Sequence, residues 1–368
     1  MIARAGAVSS VRLCTPFSLP EPELTRFLRH ARSISESGGF RQGPHERTVR
    51  ELLRTRLSVP DEAVLLTTRS GTDALVTALA LAGVRAGRRV AVPVLAYHAV
   101  AAAVTRAGAL PVWVDCDESS WNVSVETLSA VLDRTDVAAV IAVDNLGTPC
   151  DLAGISRICR DRGIPLIVDA CESLRPWQDE PGAAEVLYVW SFSFTKPIHA
   201  YGMGGAIAVP PELAPDSADR TRLLVSQSRL PEVNAAYLVL ALPHADAATA
   251  RLDAIYAAYR SSFSRHEWKA QDEPWGPSSR IHAGFCLRDT EERDALAEGL
   301  PLLGIEVRLQ FPLQSRFFDG AEPVRFPTAT ELEKRLLSFP AGAHMSDAEV
   351  ETVVSRVETL VSERRVES

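Results

Sequence analysis

From about residue 63 to residue 209, short β-branched runs alternate with helix-like segments, and this alternation constrains the fold more than any other feature. The strand-like runs span residues 63–67, 89–93, 110–114, 138–143, 166–169, 186–190 and 205–209. Helix-like segments between several of them span residues 72–82, 97–107, 125–134 and 152–162. Strands separated by helices of this length predict βαβ units, and therefore an α/β fold with a mostly parallel, doubly wound central sheet.

The remainder of the chain predicts a second, smaller unit. An alanine-rich helical region over residues 232–259 is broken at Pro243. A strand over 281–287, a helix over 291–302, a strand over 305–311 and a terminal helix over 346–363 follow. A chain of 368 residues is long for a single domain. We therefore expect an N-terminal segment and large domain over residues 1–245 and a smaller C-terminal α+β domain over residues 246–368.

Charge and composition exclude several classes of protein. The net charge of -8 gives no basic face for nucleic acid. The Ala/Val/Leu-rich stretch 74–84 is too short to cross a membrane, and residues 1–6 lack the sustained apolar core of a signal peptide. The six cysteines form no CxxC pair and no Cys/His spacing typical of a metal site. We expect a reduced cytoplasmic protein without a bound metal.

Lys196 and Asp169 are the two residues that point to a chemistry. Only three of the 39 basic residues are lysines, and one of them, Lys196, follows the strand-like run 186–190 within the segment Ser-Phe-Ser-Phe-Thr-Lys. Asp169 ends the preceding run. In such sheets ligands bind beyond the carboxyl ends of the strands. A lysine for a Schiff base and a carboxylate for a protonated pyridine nitrogen are what a pyridoxal 5'-phosphate (PLP) enzyme requires.

Further candidates fall at the same edge of the predicted sheet. Ser70, Gly71 and Thr72 join a strand to a helix, where free N–H groups favour an anion, although a plain helix cap is the alternative. Ser191 supplies another hydroxyl. Tyr97 can stack on the pyridine ring or pack in the core, and Glu172, one turn beyond Asp169, can reach the ring oxygen.

In order along the chain, these motifs resemble the DegT/StrS family of fold type I PLP-dependent enzymes. The resemblance covers about residues 35–360 and rests on Ser70-Gly-Thr-Asp-Ala-Leu75, Pro93-Val-Leu-Ala-Tyr97, Val168-Asp-Ala-Cys-Glu-Ser173, Ser191-Phe-Ser-Phe-Thr-Lys196 and Tyr201-Gly-Met-Gly-Gly205. It continues in Gly304-Ile-Glu-Val-Arg-Leu-Gln-Phe-Pro312 and Leu337-Ser-Phe-Pro340. Most members are aminotransferases that act on nucleotide-linked keto-sugars or on keto-cyclitols, so the resemblance implies an aminotransferase-like fold.

The resemblance also implies a role for each matched residue. Lys196 holds PLP and moves the proton, and Asp169 keeps the pyridine nitrogen protonated. The phosphate-binding residues are Ser70, Gly71, Thr72 and Ser191; Tyr97 stacks on the ring, and Glu172 replaces the usual glutamine. Gln227 stands where an asparagine normally reaches the phosphate of the partner subunit, which implies a homodimer with shared active sites. Arg229 and Arg308 are candidates for binding a carboxylate or phosphate of a substrate, with a surface or ion-pair role as the alternative.

The sequence thus favours a PLP-dependent aminotransferase that moves an amino group from an amino acid, with L-glutamate as the expected donor, to a keto-sugar, keto-cyclitol or related ketone. Amino-sugar or secondary-metabolite biosynthesis is the expected setting. Two departures from the family keep alternatives open. Asp144-Asn-Leu-Gly147 replaces the family's His-Leu-Tyr-Gly, so a histidine close to the substrate is missing, and the substrate-facing segment 210–226 is shorter than expected. A dehydratase, cyclase or C–N bond-forming PLP enzyme is the second hypothesis. A non-catalytic ligand-binding member is the third. Arg175, Trp177 and His199 lie near the motifs, with packing as their default role.

Overall fold

The large sheet has seven strands and follows the predicted alternation. In the computed structural model the described residues are 10–14, 16–41, 43–178, 185–214, 225, 228–276, 279, 281–309, 311–318 and 326–367. The strands are β1 (Val64–Thr68), β2 (Arg89–Pro93), β3 (Leu110–Val114), β4 (Ala139–Val143), β5 (Leu166–Asp169), β6 (Val186–Ser191) and β7 (Gly205–Val209). Their order is β1-β7-β6-β5-β4-β2-β3, and β7 runs antiparallel to the other six strands. The predicted fold class is confirmed.

Helices cover both faces of this sheet, as a doubly wound fold requires. They are α1 (Glu21–Ser37), α2 (Pro44–Arg56), α3 (Gly71–Leu81), α4 (Ala99–Arg106), α5 (Val125–Leu132), α6 (Leu152–Asp161) and α7 (Glu232–Ala241). Because side chains alternate across a strand, Ile167 of β5 packs in the core on the face of α3 and α4. Leu166 and Val168 pack in the core on the opposite face, with residues of α1, α2, α6 and α7. Burial on both faces explains why the strand sequences are nearly continuous runs of apolar residues.

A second sheet, of four antiparallel strands, lies in the C-terminal part. Its strands are β8 (Lys269–Ala270), β9 (Ala283–Cys286), β10 (Arg308–Leu309) and β11 (Leu336–Phe339), in the order β10-β11-β9-β8. The helices here are α8 (Ala245–Phe263), α9 (Thr290–Leu302), α10 (Pro327–Arg335) and α11 (Asp347–Glu367). An aromatic core joins Tyr259, Phe263, Phe285 and Phe339. The domain boundary at residue 245 stays a prediction; α8 begins there, after the break at Pro243.

Several elements differ from the sequence-based expectations. The predicted strand over 305–311 shortens to β10, because Ile305 instead forms a bridge with Val11 of the N-terminal segment. The helix expected from residue 97 begins at Ala99, so Tyr97 lies in the preceding loop. Helices α1 and α2 were not predicted from the apolar periodicity of the sequence, because each helix buries only two side chains. All six cysteines are free. Among the described residues, no helix combines the length and apolar character needed to cross a membrane.

Candidate active site

A cleft of about 380 Å³ opens at the carboxyl ends of β5 and β6, beside the first turn of α3. Residues of the large sheet form its floor and one wall. The other wall comes from the small C-terminal sheet and its loops, through His282, Arg308 and Phe311. The cleft therefore lies at the place where ligands bind in doubly wound sheets, and it joins the two parts of the chain.

The first turn of α3 is built to receive an anion. Ser70 caps the helix, because its Oγ accepts a hydrogen bond from the Asp73 N–H at 3.1 Å. A Cβ at Gly71 would lie 2.8 Å from Cys171 Sγ and 2.9 Å from Ser191 Cβ, so only glycine fits where the helix meets the two strand ends. The helix N–H groups, Thr72 and Ser191 line one end of the cleft. This arrangement suits a phosphate.

Asp169 is a buried carboxylate with little to compensate its charge. It ends β5, is 6% exposed, and its Oδ1 accepts a hydrogen bond from Cys171 N at 3.1 Å. Burial raises the pKa of Asp169 to about 6, although the Cys171 hydrogen bond and the charge of Lys196 act in the opposite direction. A cationic partner such as a protonated pyridine nitrogen would relieve this penalty, so Asp169 fits the cofactor that the sequence implies.

Lys196 reaches the cleft from a hairpin-like loop between β6 and β7. Its N–H donates to Ser193 O at 2.9 Å, and Phe194 N–H donates to Gly202 O at 2.8 Å, which fixes the loop backbone. Gly202 closes the loop with a φ of 113°, a conformation that favours glycine. The Lys196 side chain is 9% exposed, and its Nζ lies 3.5 Å from Glu172 Oε1. The amine is thus directed into the cleft.

Glu172 is held by groups from three parts of the chain. Its Oε2 accepts a hydrogen bond from Leu146 N at 2.9 Å, and its Oε1 lies 3.5 Å from Lys196 Nζ and 3.4 Å from His282 Nε2. Burial opposes ionisation, but Lys196 and His282 hold the pKa of Glu172 well below its usual range. Burial, with the nearby Arg308 charge, lowers the pKa of His282 to about 4. At neutral pH the carboxylate is ionised and the imidazole is neutral.

Arg308 places a cation with unused donors in the same cleft. Its Nε and Nη2 are buried without a hydrogen-bond partner in the described part of the chain. The guanidinium lies 4.6 Å above the ring of Phe311, and burial lowers its pKa. Buried polar groups normally find a partner, and a guanidinium fork matches a carboxylate or phosphate. The residues present therefore fit PLP at one end of the cleft and an acidic substrate beside it.

Most of the predicted site residues come together. The cleft is lined by Ser70, Gly71, Thr72, Tyr97, Asp169, Glu172, Ser191, Lys196 and Arg308. Arg229 lines a different groove, of about 520 Å³, that follows β1. Gln227 falls outside the described residues. Tyr97 is 42% exposed, and its ring lies 5.0 Å from that of Phe311.

The departure at residues 144–147 has a structural explanation. Asp144 is buried, accepts hydrogen bonds from Cys150 N at 2.8 Å and Ser173 Oγ at 2.6 Å, and pairs with Arg175 at 3.3 Å. Asp144 and Arg175 thus form an internal ion pair. His199 also packs internally, stacked on Tyr237. His282 is the functional candidate that sequence reasoning missed, because it lies 110 positions from Glu172 and carries no motif of its own.

Comparisons with known proteins agree with this geometry. The sequence model of the DegT/DnrJ/EryC1/StrS aminotransferase family matches residues 23–358. The erythromycin biosynthesis sensory transduction protein EryC1 of Saccharopolyspora erythraea is 30% identical over 349 residues, covering 88% of this chain and 92% of that protein. The dTDP-3-amino-3,4,6-trideoxy-alpha-D-glucose transaminase of Streptomyces venezuelae is 28% identical over 310 residues, covering 78% and 80%. The crystal structure of the aminotransferase TlmJ from Streptoalloteichus hindustanus shares the fold, with a TM-score of 0.83 at 24% identity over 96% of this chain and 100% of that one.

The unpaired burial of Asp169 predicts a pH-dependent gain in stability for Asp169→Asn in the protein without cofactor. The pKa of Asp169 is raised on folding to about 6, so its cost is absent below the unfolded pKa and fully present above pH 6. The variant should be more stable than wild type at pH 8 by up to about 3 kcal/mol, and nearly equal to it at about pH 3, below the unfolded pKa. Urea unfolding at both pH values measures this. A difference that is independent of pH would contradict the assignment.

Proposed function

Because the chain belongs to the DegT/DnrJ/EryC1/StrS aminotransferase family, and is a PLP-dependent aminotransferase, we propose that it moves an amino group from an amino acid to a keto-sugar or keto-cyclitol. L-Glutamate is the proposed donor. The observation that carries the proposal is the placement of Lys196 Nζ and the Asp169 carboxylate in one cleft, beside an anion-binding helix start. The sugar transaminase of Streptomyces venezuelae, similar over 78% of this chain, supports the acceptor class.

Each residue of the cleft has a proposed task. Bound PLP supplies the electron sink that lets the alpha carbon of the amino acid lose its proton. Lys196 Nζ anchors the cofactor and carries that proton as acid and base. Asp169 pairs with the pyridine nitrogen. Tyr97 would stack on the ring, and the first turn of α3, with the hydroxyls of Thr72 and Ser191, would hold the phosphate.

Arg308 is the proposed binding residue for the donor's carboxylate. Its two unused donors lie in the cleft with Lys196, and it forms a cation–π contact with Phe311 that fixes the guanidinium plane. A bidentate contact from Arg308 to the carboxylate of the donor would orient the C–H bond of the donor toward Lys196.

We further propose that the chain works as a homodimer. Three large apolar side chains at the cleft mouth are exposed, namely Tyr97, Phe194 and Met203, and such clusters are usually covered by a partner. In addition, among the described residues β1 pairs with β7 alone, and the groove along β1 contains four arginines: Arg41, Arg50, Arg54 and Arg229. A two-fold interface is the common solution for such surfaces. Sedimentation equilibrium of the PLP-loaded protein that gives a monomer mass at micromolar concentration would contradict this.

The donor half-reaction tests the proposed activity. The visible absorption band of PLP-loaded protein should bleach on addition of L-glutamate, with 2-oxoglutarate as the measured product. Lys196→Ala should slow this reaction by about 10³-fold or more, because it removes the acid–base group. A band that ignores glutamate and other common amino acids would move the assignment to a non-transaminating PLP enzyme.

Replacing Arg308 tests the proposed donor contact. Arg308→Met should raise the KM for the amino donor by about tenfold or more, and lower kcat less, because a charge-assisted contact to the donor is lost. Arg88→Met is the matched control, since Arg88 is an exposed arginine paired with Asp136 outside the cleft. An unchanged donor KM in Arg308→Met would show that another group binds the carboxylate.

A further inference from the structure

Glu172 has contacts from three separate parts of the chain, and one of them comes from the small domain. Leu146 lies in the loop after β4, Lys196 lies after β6, and His282 immediately precedes β9. His282 Nε2 and Lys196 Nζ approach the same carboxylate oxygen, at 3.4 Å and 3.5 Å, while Leu146 N–H donates to the other. The His282 and Glu172 side chains are only 9% and 10% exposed, so solvent cannot substitute readily for a lost partner.

We propose that His282 is a positioning residue for the transamination: its Nε2–H holds the Glu172 carboxylate in place beside Lys196 and the PLP ring. This inference rests on the proposed function. An ionised carboxylate can only accept hydrogen bonds, so a favourable contact requires the proton of the neutral imidazole to be on Nε2. The structure thus assigns both a role and a tautomer to His282.

The contact with His282 gains importance when the cofactor is bound. Lys196 Nζ must then bond to PLP or act on the donor, so the lysine cannot serve as a permanent partner for Glu172. Leu146 N–H and His282 Nε2–H remain, one on each carboxylate oxygen. Two neutral donors of this kind can keep a carboxylate ionised and fixed while a neighbouring amine changes its bonding.

The segment that carries His282 is itself fixed to the large domain. Ser279 Oγ donates a hydrogen bond to the backbone carbonyl of Glu172, and Ser279 N–H donates to Gly147 O at 3.0 Å. Ser279 and His282, which both precede β9, therefore contact the backbone and the side chain of Glu172, respectively. Packing of the small domain against the large domain sets the position of this carboxylate.

The charges around the pair keep the imidazole neutral. Lys196 and Arg308 oppose a positive charge on His282, and burial opposes it further. Only Glu172 favours the charged form. The charged or titratable neighbours of Glu172 itself are Lys196, His282, Arg308, Asp169 and Cys171. If His282 is removed, the pKa of Glu172 should rise, because a stabilising donor disappears while the burial remains.

The test uses His282→Leu, which removes the donor, and His282→Gln, whose amide can supply one. In His282→Leu the rate constant of the half-reaction with L-glutamate should fall by about tenfold, with little change in the donor KM. His282→Gln should restore the rate constant in large part.

His266→Leu is the matched control. His266 is a buried histidine of the same small domain, and its Nε2 pairs with Glu358 Oε1 at 3.0 Å, outside the cleft. It should lower Tm without lowering the rate constant of the half-reaction. An unchanged rate constant in His282→Leu, or an equal loss in His266→Leu, would overturn the proposal. A wild-type protein that does not react with any amino donor would instead contradict the proposed function.

A second readout is independent of turnover. The imidazole ¹⁵N chemical shifts of the cofactor-free protein at pH 7, assigned by comparison with His282→Gln, report the tautomer of His282. A neutral ring protonated on Nε2 is expected. A ring protonated only on Nδ1 could not donate to Glu172 and would overturn the proposal.

Discussion

Two carboxylates, Asp169 and Glu172, are buried three positions apart at the end of β5, and the rest of the cleft depends on how their charges are compensated. An uncompensated buried charge costs several kcal/mol. Glu172 meets this cost with Lys196, His282 and the Leu146 N–H, and its pKa is held low. Asp169 accepts a hydrogen bond from the Cys171 backbone N–H, and its pKa is raised to about 6. The opposite pKa shifts of the two carboxylates support the proposal that Asp169, and not Glu172, pairs with a cationic ring.

The C-terminal part of the chain completes the site chemically as well as sterically. His282 and Arg308 both come from the C-terminal part of the chain, and together they place one neutral donor and one cation opposite Lys196. Because the aromatic core around Phe285 and Phe339 orders β9 and β11, packing remote from the cleft affects the position of His282.

The sequence was sufficient for the parts that depend on local periodicity and on strand ends. The alternation of runs over residues 63–209 predicted the parallel sheet, and Asp169, Ser191 and Lys196 were placed at one edge of it, because the carboxyl ends of parallel strands meet there. The contact between His282 and Glu172 could not be predicted, because it depends on how the C-terminal part of the chain packs against the large sheet. Arg229 illustrates the same limit. Like Arg308, it was a candidate for binding an anionic group of the substrate, but it lies in the groove along β1. The replacement of the family's histidine segment at Asp144 was interpreted as the loss of a substrate contact, whereas Asp144 forms an internal ion pair with Arg175.

Lys196 is the residue proposed to carry the cofactor, and the small number of lysines in the chain allows a direct test. The other two lysines, Lys269 and Lys334, have side chains 59% and 50% exposed and pair with Glu118 and Glu331. Borohydride reduction of the PLP-loaded protein, followed by peptide mass mapping, fixes the cofactor covalently on the lysine that binds it. We expect a phosphopyridoxyl group on Lys196, at about one per chain, with Lys269 and Lys334 unmodified. Labelling of Lys269 or Lys334 in place of Lys196, or no labelling at all, would contradict it.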